Sequence, residues 1–357
     1  MKVLTASARR CLYSSVAVLS MVGLAACGSS GSTNAGASGA SKSGGSTDAA
    51  VPIKVNMNVK ITGHTFFTEI RDGALAVAPG LGVNLTYSGP TFSDAQQQAT
   101  QLNSILQQGY KVLLLSANSP TVEAPAATQA QSMGIPVITF DADVTPSARG
   151  WYVNDAAYPA FGKCLIDQAV KFGGPTAEVG IVSSNPDSPN QIAWINAAMT
   201  YQKANYPGLK IVGTVYGKGD EALSFAGATS LLQAHPAIKV LLTPDSGAAP
   251  GAASAITKLG LIGKVLSVGQ GDLASSRQYI KNGSEVSCMW DNAAMGKLLV
   301  YMAKAAANKK LPKNGTFTDD PDGSWVIKDG WVDFAQTPTV FNKENVDNFT
   351  DAGSPKG

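Results

Sequence analysis

From Val51 onward the chain switches between two hydrophobic periods, and this alternation limits the folds open to it more than any other feature. Ile53 to Val59 alternates apolar and polar residues, the period of a half-buried strand. Phe66 to Val77 fits a helix, and Val83 to Tyr87 is a second strand. Asp94 stands where an N-cap belongs, before a helix that runs to about Gln108. Val112-Leu113-Leu114-Leu115 is a short unbroken apolar run, as expected of a strand covered on both faces. A helix over Glu123 to Met133 and a strand over Ile135 to Phe140 follow. The rhythm then repeats, with helices over 161–172, 191–205, 223–234 and 248–259. Strands over 179–183, 209–215, 240–243 and 265–268 separate them, and a short strand covers 285–289. Strands alternating with helices require right-handed crossovers and parallel sheets. Two such runs predict an α/β protein of two similar lobes, each a doubly wound parallel sheet, with the break near Asn154-Asp155. Residues 325–349 read as strand and loop, punctuated by Pro and Asn.

The first 50 residues have a different texture. Lys2, Arg9 and Arg10 precede an apolar stretch from Leu12 to Ala26, the layout of a secretory signal. Leu24-Ala25-Ala26-Cys27 resembles the lipobox of bacterial lipoproteins, which implies that Cys27 is lipidated and becomes the new N-terminus. Residues 28–50 are Gly, Ser and Ala with little else, a composition that cannot bury enough apolar surface to fold. The expectation is an exported protein, anchored by lipid on the outer face of the cell membrane and held off it by a flexible leash.

Removal of that region leaves roughly 300 residues, enough for two domains of ordinary size. A net charge of +2 and 15% charged residues exclude the concentrated basic surface that nucleic-acid binding needs. The mature chain has no second long apolar run to read as a membrane span. Beyond Cys11 and Cys27 the cysteines are Cys164 and Cys288, which either pair in an oxidising compartment or stay as two buried thiols.

Open parallel sheets bind ligands at the carboxyl ends of their strands, so those ends carry the candidate site. The first strand leads to Lys60, three donors on a flexible stem, and to Phe66 and Phe67. Phe66 is a candidate apolar wall, whereas Phe67 reads as core. The fourth ends in Phe140-Asp141-Ala142-Asp143, two carboxylates at i and i+2 that suit hydroxyl groups, with a solvated loop or a helix cap as the alternatives. Asn190 and Gln191 open a helix; they either cap it or offer a polyol both donors and acceptors. Thr243-Pro244-Asp245-Ser246-Gly247 turns beside the same edge. Trp290 follows a strand and either stacks on a sugar ring or fills the core. Enzyme motifs are missing. His64 and His235 form no HExxH, no GxSxG elbow joins a strand to a helix, and Gly269-Gln270-Gly271 is only a fragment of a dinucleotide loop. No metal or cofactor is expected, and no enzymatic activity.

Taken in order, these segments are similar to the sugar-binding proteins of bacterial ABC importers, and within them to the rhamnose-binding and autoinducer-2-binding group. The likeness covers Lys54 to Phe349. It is carried by Tyr87-Ser88-Gly89-Pro90-Thr91 with Asp94, by Ser116-Ala117-Asn118 and by Phe140-Asp141-Ala142-Asp143. Tyr152-Val153-Asn154, Gln191 with Trp194, Val215-Tyr216-Gly217, Leu232-Gln233-Ala234 and Val340 to Asn345 add to it. The resemblance implies the type I periplasmic binding protein fold, with two lobes joined by a three-strand hinge. It places 51–154 with 291–325 in the N-terminal lobe and 155–290 with 326–349 in the C-terminal lobe, leaving 350–357 as a tail. It implies ligand contacts at Lys60, at Asp141 or Asp143, at Asn190 and Gln191, and at Pro244 and Ser246. Asn190 and Ser246 depart from the autoinducer-2 pattern, which has Asp and Ala there, and Asn190-Gln191 is similar to the rhamnose-binding side. The implied partners are a small neutral sugar, polyol or autoinducer-2, and the membrane subunits of an ABC permease, with the binding protein itself a monomer. A lipoprotein that reports sugar to a membrane receptor would share every one of these features.

Overall fold

The computed structural model describes residues 51–356; Cys27, the signal and the linker lie outside the described residues. The first lobe begins β1 (Ile53–Asn58), α1 (Thr65–Val77), β2 (Val83–Ser88), α2 (Ala95–Ile105), β3 (Val112–Leu115), α3 (Ala124–Ser132), β4 (Val137–Phe140) and β5 (Trp151–Ala156). The second follows with α4 (Tyr158–Gly173), β6 (Glu178–Ser183), α5 (Pro189–Asn205), β7 (Lys210–Tyr216), α6 (Glu221–Ala234), β8 (Ile238–Thr243) and α7 (Ala248–Lys258). It closes with β9 (Leu266–Gly269), α8 (Leu273–Asn282) and β10 (Glu285–Met289). The chain then gives α9 (Asn292–Ala307), a small hairpin of β11 (Gly315–Phe317) and β12 (Trp325–Ile327), β13 (Trp331–Ala335) and β14 (Thr339–Phe341).

The first sheet has the order β13-β5-β4-β3-β1-β2, parallel throughout, and the second β14-β10-β9-β8-β6-β7, with only β14 antiparallel. In each, the chain starts in the middle and reverses its direction of travel once, between β1 and β3 and between β6 and β8. Those reversals are the switch points where crossovers leave to opposite faces and a crevice opens at the strand ends. Strands β3, β4 and β9 are buried at every position, which accounts for the unbroken apolar run of β3 and for the scarcity of polar residues in the other two. Aspartates cap four helices, among them Asp94, whose carboxylate accepts the Gln97 N–H at 2.9 Å. Helices α1 and α9 pack so closely that a methyl group on Gly296 would stand 2.0 Å from the Ile70 carbonyl oxygen. This contact fastens α9 to the first lobe.

Two elements escape a reading by period. In β5, Asn154 and Asp155 are buried polar residues inside a strand, and they break its apolar pattern. In α8 only Leu273, Ser276 and Ile280 are buried, too thin a stripe to mark a helix. The lobe boundaries also need one correction. The third crossing was expected near Trp325, with 326–349 in the second lobe. In fact β13 pairs in parallel with β5, Trp331 opposite Tyr152, so the crossing falls between Ala335 and Thr339. The unsatisfied edge of β5 takes up β13 before the chain leaves. Residues after 349 are docked rather than trailing: the Asn292 N–H donates to the Ala352 carbonyl at 3.0 Å, and Ser354 Oγ to Asp291 at 2.5 Å. Cys164 on α4 and Cys288 on β10 are joined by a disulfide, their Cα atoms 6.4 Å apart.

Candidate functional site

The two crevices face each other across a small cavity of about 40 Å³. From the first lobe, the end of β1 contributes Lys60 and His64, and the start of α1 contributes Phe66 and Phe67. Ser93, Asn118 after β3 and Asp141 after β4 complete that wall. From the second come Ser184, Asn185, Ser188, Asn190 and Gln191 between β6 and α5, Asp245 and Ser246 after β8, and Gln270 after β9.

Asp141 is the centre of this array. It is 3% exposed and lies in the left-handed region at φ 57°, a conformation that costs a non-glycine residue energy and tends to survive where structure holds it for use. Its Oδ2 accepts from Ser116 Oγ at 2.5 Å and pairs with Lys60 Nζ at 3.0 Å. Its Oδ1 accepts from Asn190 Nδ2, across the cleft, at 2.6 Å. Lys60 Nζ also approaches Asn190 Oδ1 at 3.4 Å. On the facing side Gln191 Oε1 accepts from Ser183, Ser184 and the Ser184 N–H, which orients its Nε2 to donate to Asp245 Oδ2 at 3.0 Å. Burial raises the Asp245 carboxyl pKa, an effect opposed by charge from His64 and Lys60 and by the Ala248 N–H and Gln191 amide it accepts from. Lys60 and Asp141, neighbours in the first-lobe wall, make one balanced ion pair, an arrangement that suits neutral, hydroxyl-rich molecules better than ions.

The lobes also meet directly beyond this centre. Asn185 Nδ2 donates to Ser93 Oγ at 3.2 Å, and Thr65 Oγ1 to Asp272 Oδ2 at 2.8 Å. The seam opens outward into a second hollow rimmed by Thr62, Thr91, Asp220 and Phe92, the last 72% exposed.

Of the residues singled out from sequence, Lys60, Phe66, Asp141, Asn190, Gln191 and Ser246 line the enclosed space. Three do not. Asp143 turns away into the first lobe, where Arg149 Nε meets both its oxygens at 2.9 Å and Thr139 Oγ1 donates at 2.5 Å. The left-handed turn at Asp141 breaks the extended geometry that i and i+2 spacing assumes, so the two carboxylates part. Pro244 is buried behind the wall, and its neighbour Asp245 faces inward instead. Trp290 is 3% exposed and packs edge-on to Phe66 at 6.3 Å and near Phe161 and Trp194; it supports the Phe66 ring from the core. Phe67, read as core, lines the space together with Phe66, the rings 5.0 Å apart and edge to face. Sequence reasoning passed over Asn118, Asp245 and Gln270, although each follows a strand as the strand-end rule requires. His64 was weighed only as a metal ligand, and it stands in the wall with Nδ1 unpartnered.

Two doubly wound lobes, a three-segment hinge and a polar array at facing switch points define a two-lobed binding protein. The chain belongs to the periplasmic binding protein family: the family model described as periplasmic binding protein domain matches residues 55–311. Its structural neighbours include an ABC transporter solute-binding protein from Clostridium phytofermentas with bound L-rhamnose, 25% identical, with a TM-score of 0.78 over 83% of this chain and 97% of that one. LsrB from Clostridium saccharobutylicum in complex with AI-2 is 26% identical, with a TM-score of 0.79 over 84% of this chain and 100% of that one. The multiple sugar-binding periplasmic receptor ChvE of Rhizobium radiobacter is 22% identical over 327 residues, 84% of this chain and 88% of its own. The resemblance to the rhamnose-binding and autoinducer-2-binding group drawn from sequence is thus shared by the solved structures.

Proposed function

We propose that this protein is the solute-binding lipoprotein of an ABC importer, anchored through Cys27. It captures a small neutral sugar, a rhamnose-like monosaccharide, and presents it to the permease. The observation that carries this reading is the meeting of Asp141, Lys60 and Asn190 at the facing switch points. A carboxylate, an ammonium and an amide on opposite lobes hold a hydroxylated ring from both sides, and closure completes the set. Phe66 and Phe67 supply the apolar face that a deoxy sugar presents. The balanced charge and the raised proton affinity of Asp245 argue against a charged cargo. Calorimetry against L-rhamnose, other deoxyhexoses, pentoses and polyols tests it. One tight neutral sugar is expected; a panel without heat or thermal shift would overturn the reading.

Autoinducer-2 is the second reading, favoured by the LsrB neighbour. Asn190 in place of the Asp of that pattern removes a charge and a strong acceptor and adds a donor. Ligand released by denaturing protein from a producing strain should therefore fail to trigger a signal reporter.

A further inference from the structure

One carboxyl group against the site has no role in holding a sugar. Asp155, on β5, is 0% exposed, and neither of its oxygens meets an N–H or O–H donor among the described residues. Asp141 lies against the same strand, its backbone N–H donating to the Val153 carbonyl at 3.3 Å, and its carboxyl is close enough to Asp155 to share a hydrogen bond; Lys60, Tyr152 and Tyr158 are the other titratable groups that interact with Asp155. Tyr152 spends its own proton elsewhere, on the Asp141 carbonyl at 2.8 Å. Lys60 pairs with Asp141 at 3.0 Å, and Asp155 is left without a cation or donor of its own. Two bare carboxylates side by side there are strongly disfavoured, whereas one carboxylate and one acid can share a proton. Burial and the Asp141 charge both hold the Asp155 carboxyl well above the usual range, and Lys60 opposes them only in part.

We infer that Asp155 carries a proton at neutral pH and donates it to Asp141, which makes Asp155 the residue that positions the central carboxylate. The inference rests on the reading of the cleft as a sugar site. A line of contacts then runs from Asp155 to Asp141 and, across the cleft, to Asn190. Asp155 lies two residues before the Ala157 that precedes α4, where β5 hands the chain to the second lobe, and the N–H of Ala157 donates to Ala335 of a second crossing segment. The acid therefore ties the orientation of Asp141 to the hinge itself. It also leaves the group formed with Lys60 and Asp141 neutral overall, which suits a neutral ligand.

The proton is tested without any sugar. An infrared difference spectrum of wild type against Asp155→Asn at about pH 7 should show a protonated-carboxyl C=O band that the variant lacks; no such band overturns the assignment. Its positioning role is tested by binding of whichever panel sugar the wild type takes. The amide introduced by Asp155→Asn keeps a donor, so this variant should stay within about threefold of wild type and hold that affinity as pH rises. The wild type should lose affinity once the proton leaves. Asp155→Ala, with unchanged circular dichroism, should bind at least roughly tenfold more weakly. Asp155→Ala as tight as wild type, or Asp155→Asn as weak as Asp155→Ala, overturns the role. A wild type that shows the band but binds no sugar refutes the sugar reading and supports the protonated acid.

Discussion

Asp141 gathers donors from three places: Ser116 beneath it, Lys60 beside it and Asn190 from the opposite lobe. Charge-assisted hydrogen bonds of this kind contribute about 1.5–3 kcal/mol each, so Asp141→Ala should weaken sugar binding by roughly 100-fold or more in calorimetry. Asp143→Ala touches no part of the cleft. It should leave affinity within about threefold of wild type while lowering stability, because Arg149 is left buried without its partner. A second buried acid makes stability depend on pH. Burial raises Glu285 to about 8, with the Asp272 and Glu221 charges adding to the effect and Ser276 opposing it. A raised acid binds its proton more tightly folded than unfolded. Its contribution is therefore complete below the ordinary carboxyl range and lost as pH climbs toward 8. The melting temperature should fall across that window, and Glu285→Gln should flatten the fall; equal slopes for both proteins would refute the assignment. At this scale Asp141 and Asn190 were legible from their places after a strand and before a helix. The parting of Asp141 from Asp143 was not, because one positive φ angle reverses a side chain without any mark in composition.

Helices α1 and α9 come from opposite ends of the first lobe and meet without side chains between them. Gly73 faces the Ala293 carbonyl oxygen and Gly296 that of Ile70, each leaving only 2.0 Å for an added carbon. Gly296→Ala must push the helices apart and should destabilise the protein by about 1–3 kcal/mol in urea unfolding, where no loss would mean that the helices can slide. The disulfide joins α4 to β10 across a sequence separation of 124. A cross-link over a loop of that order stabilises by about 3–5 kcal/mol in the chain-entropy account, so a Cys164→Ala/Cys288→Ala variant should melt well below the oxidised protein. Elements with a clear apolar pattern, such as the unbroken run of β3 and the periodic face of α4, could be read from sequence. β5 and α8 could not, since one carries buried polar residues and the other only a thin apolar stripe. A strand or helix whose partners supply the burial has no need to advertise it locally.

As a whole, the molecule is two crevices held against each other. Thr65 and Asp272 bridge the lobes at the seam, so Thr65→Val removes a hydrogen bond that holds them together. Apparent affinity should drop by about 0.5–1.5 kcal/mol, a few-fold. Small-angle scattering of the sugar-free variant should show the more open form gaining population; identical affinity and scattering would mean that the bridge does not govern closure. By itself, the sequence determined the α/β class, the parallel sheets, the two lobes and the neighbourhood of the site. These follow from hydrophobic period and from the rule that strand ends carry ligands, both local properties of the chain. Only the tertiary structure decided that the third crossing follows β13, that Trp290 backs Phe66 from the core, and that Asp245 faces the cleft while Pro244 does not. It also brought Asp155 against Asp141. Edge pairing, core packing and the encounter of charges depend on residues far apart in sequence, and no pattern within a single segment records which distant partner will arrive.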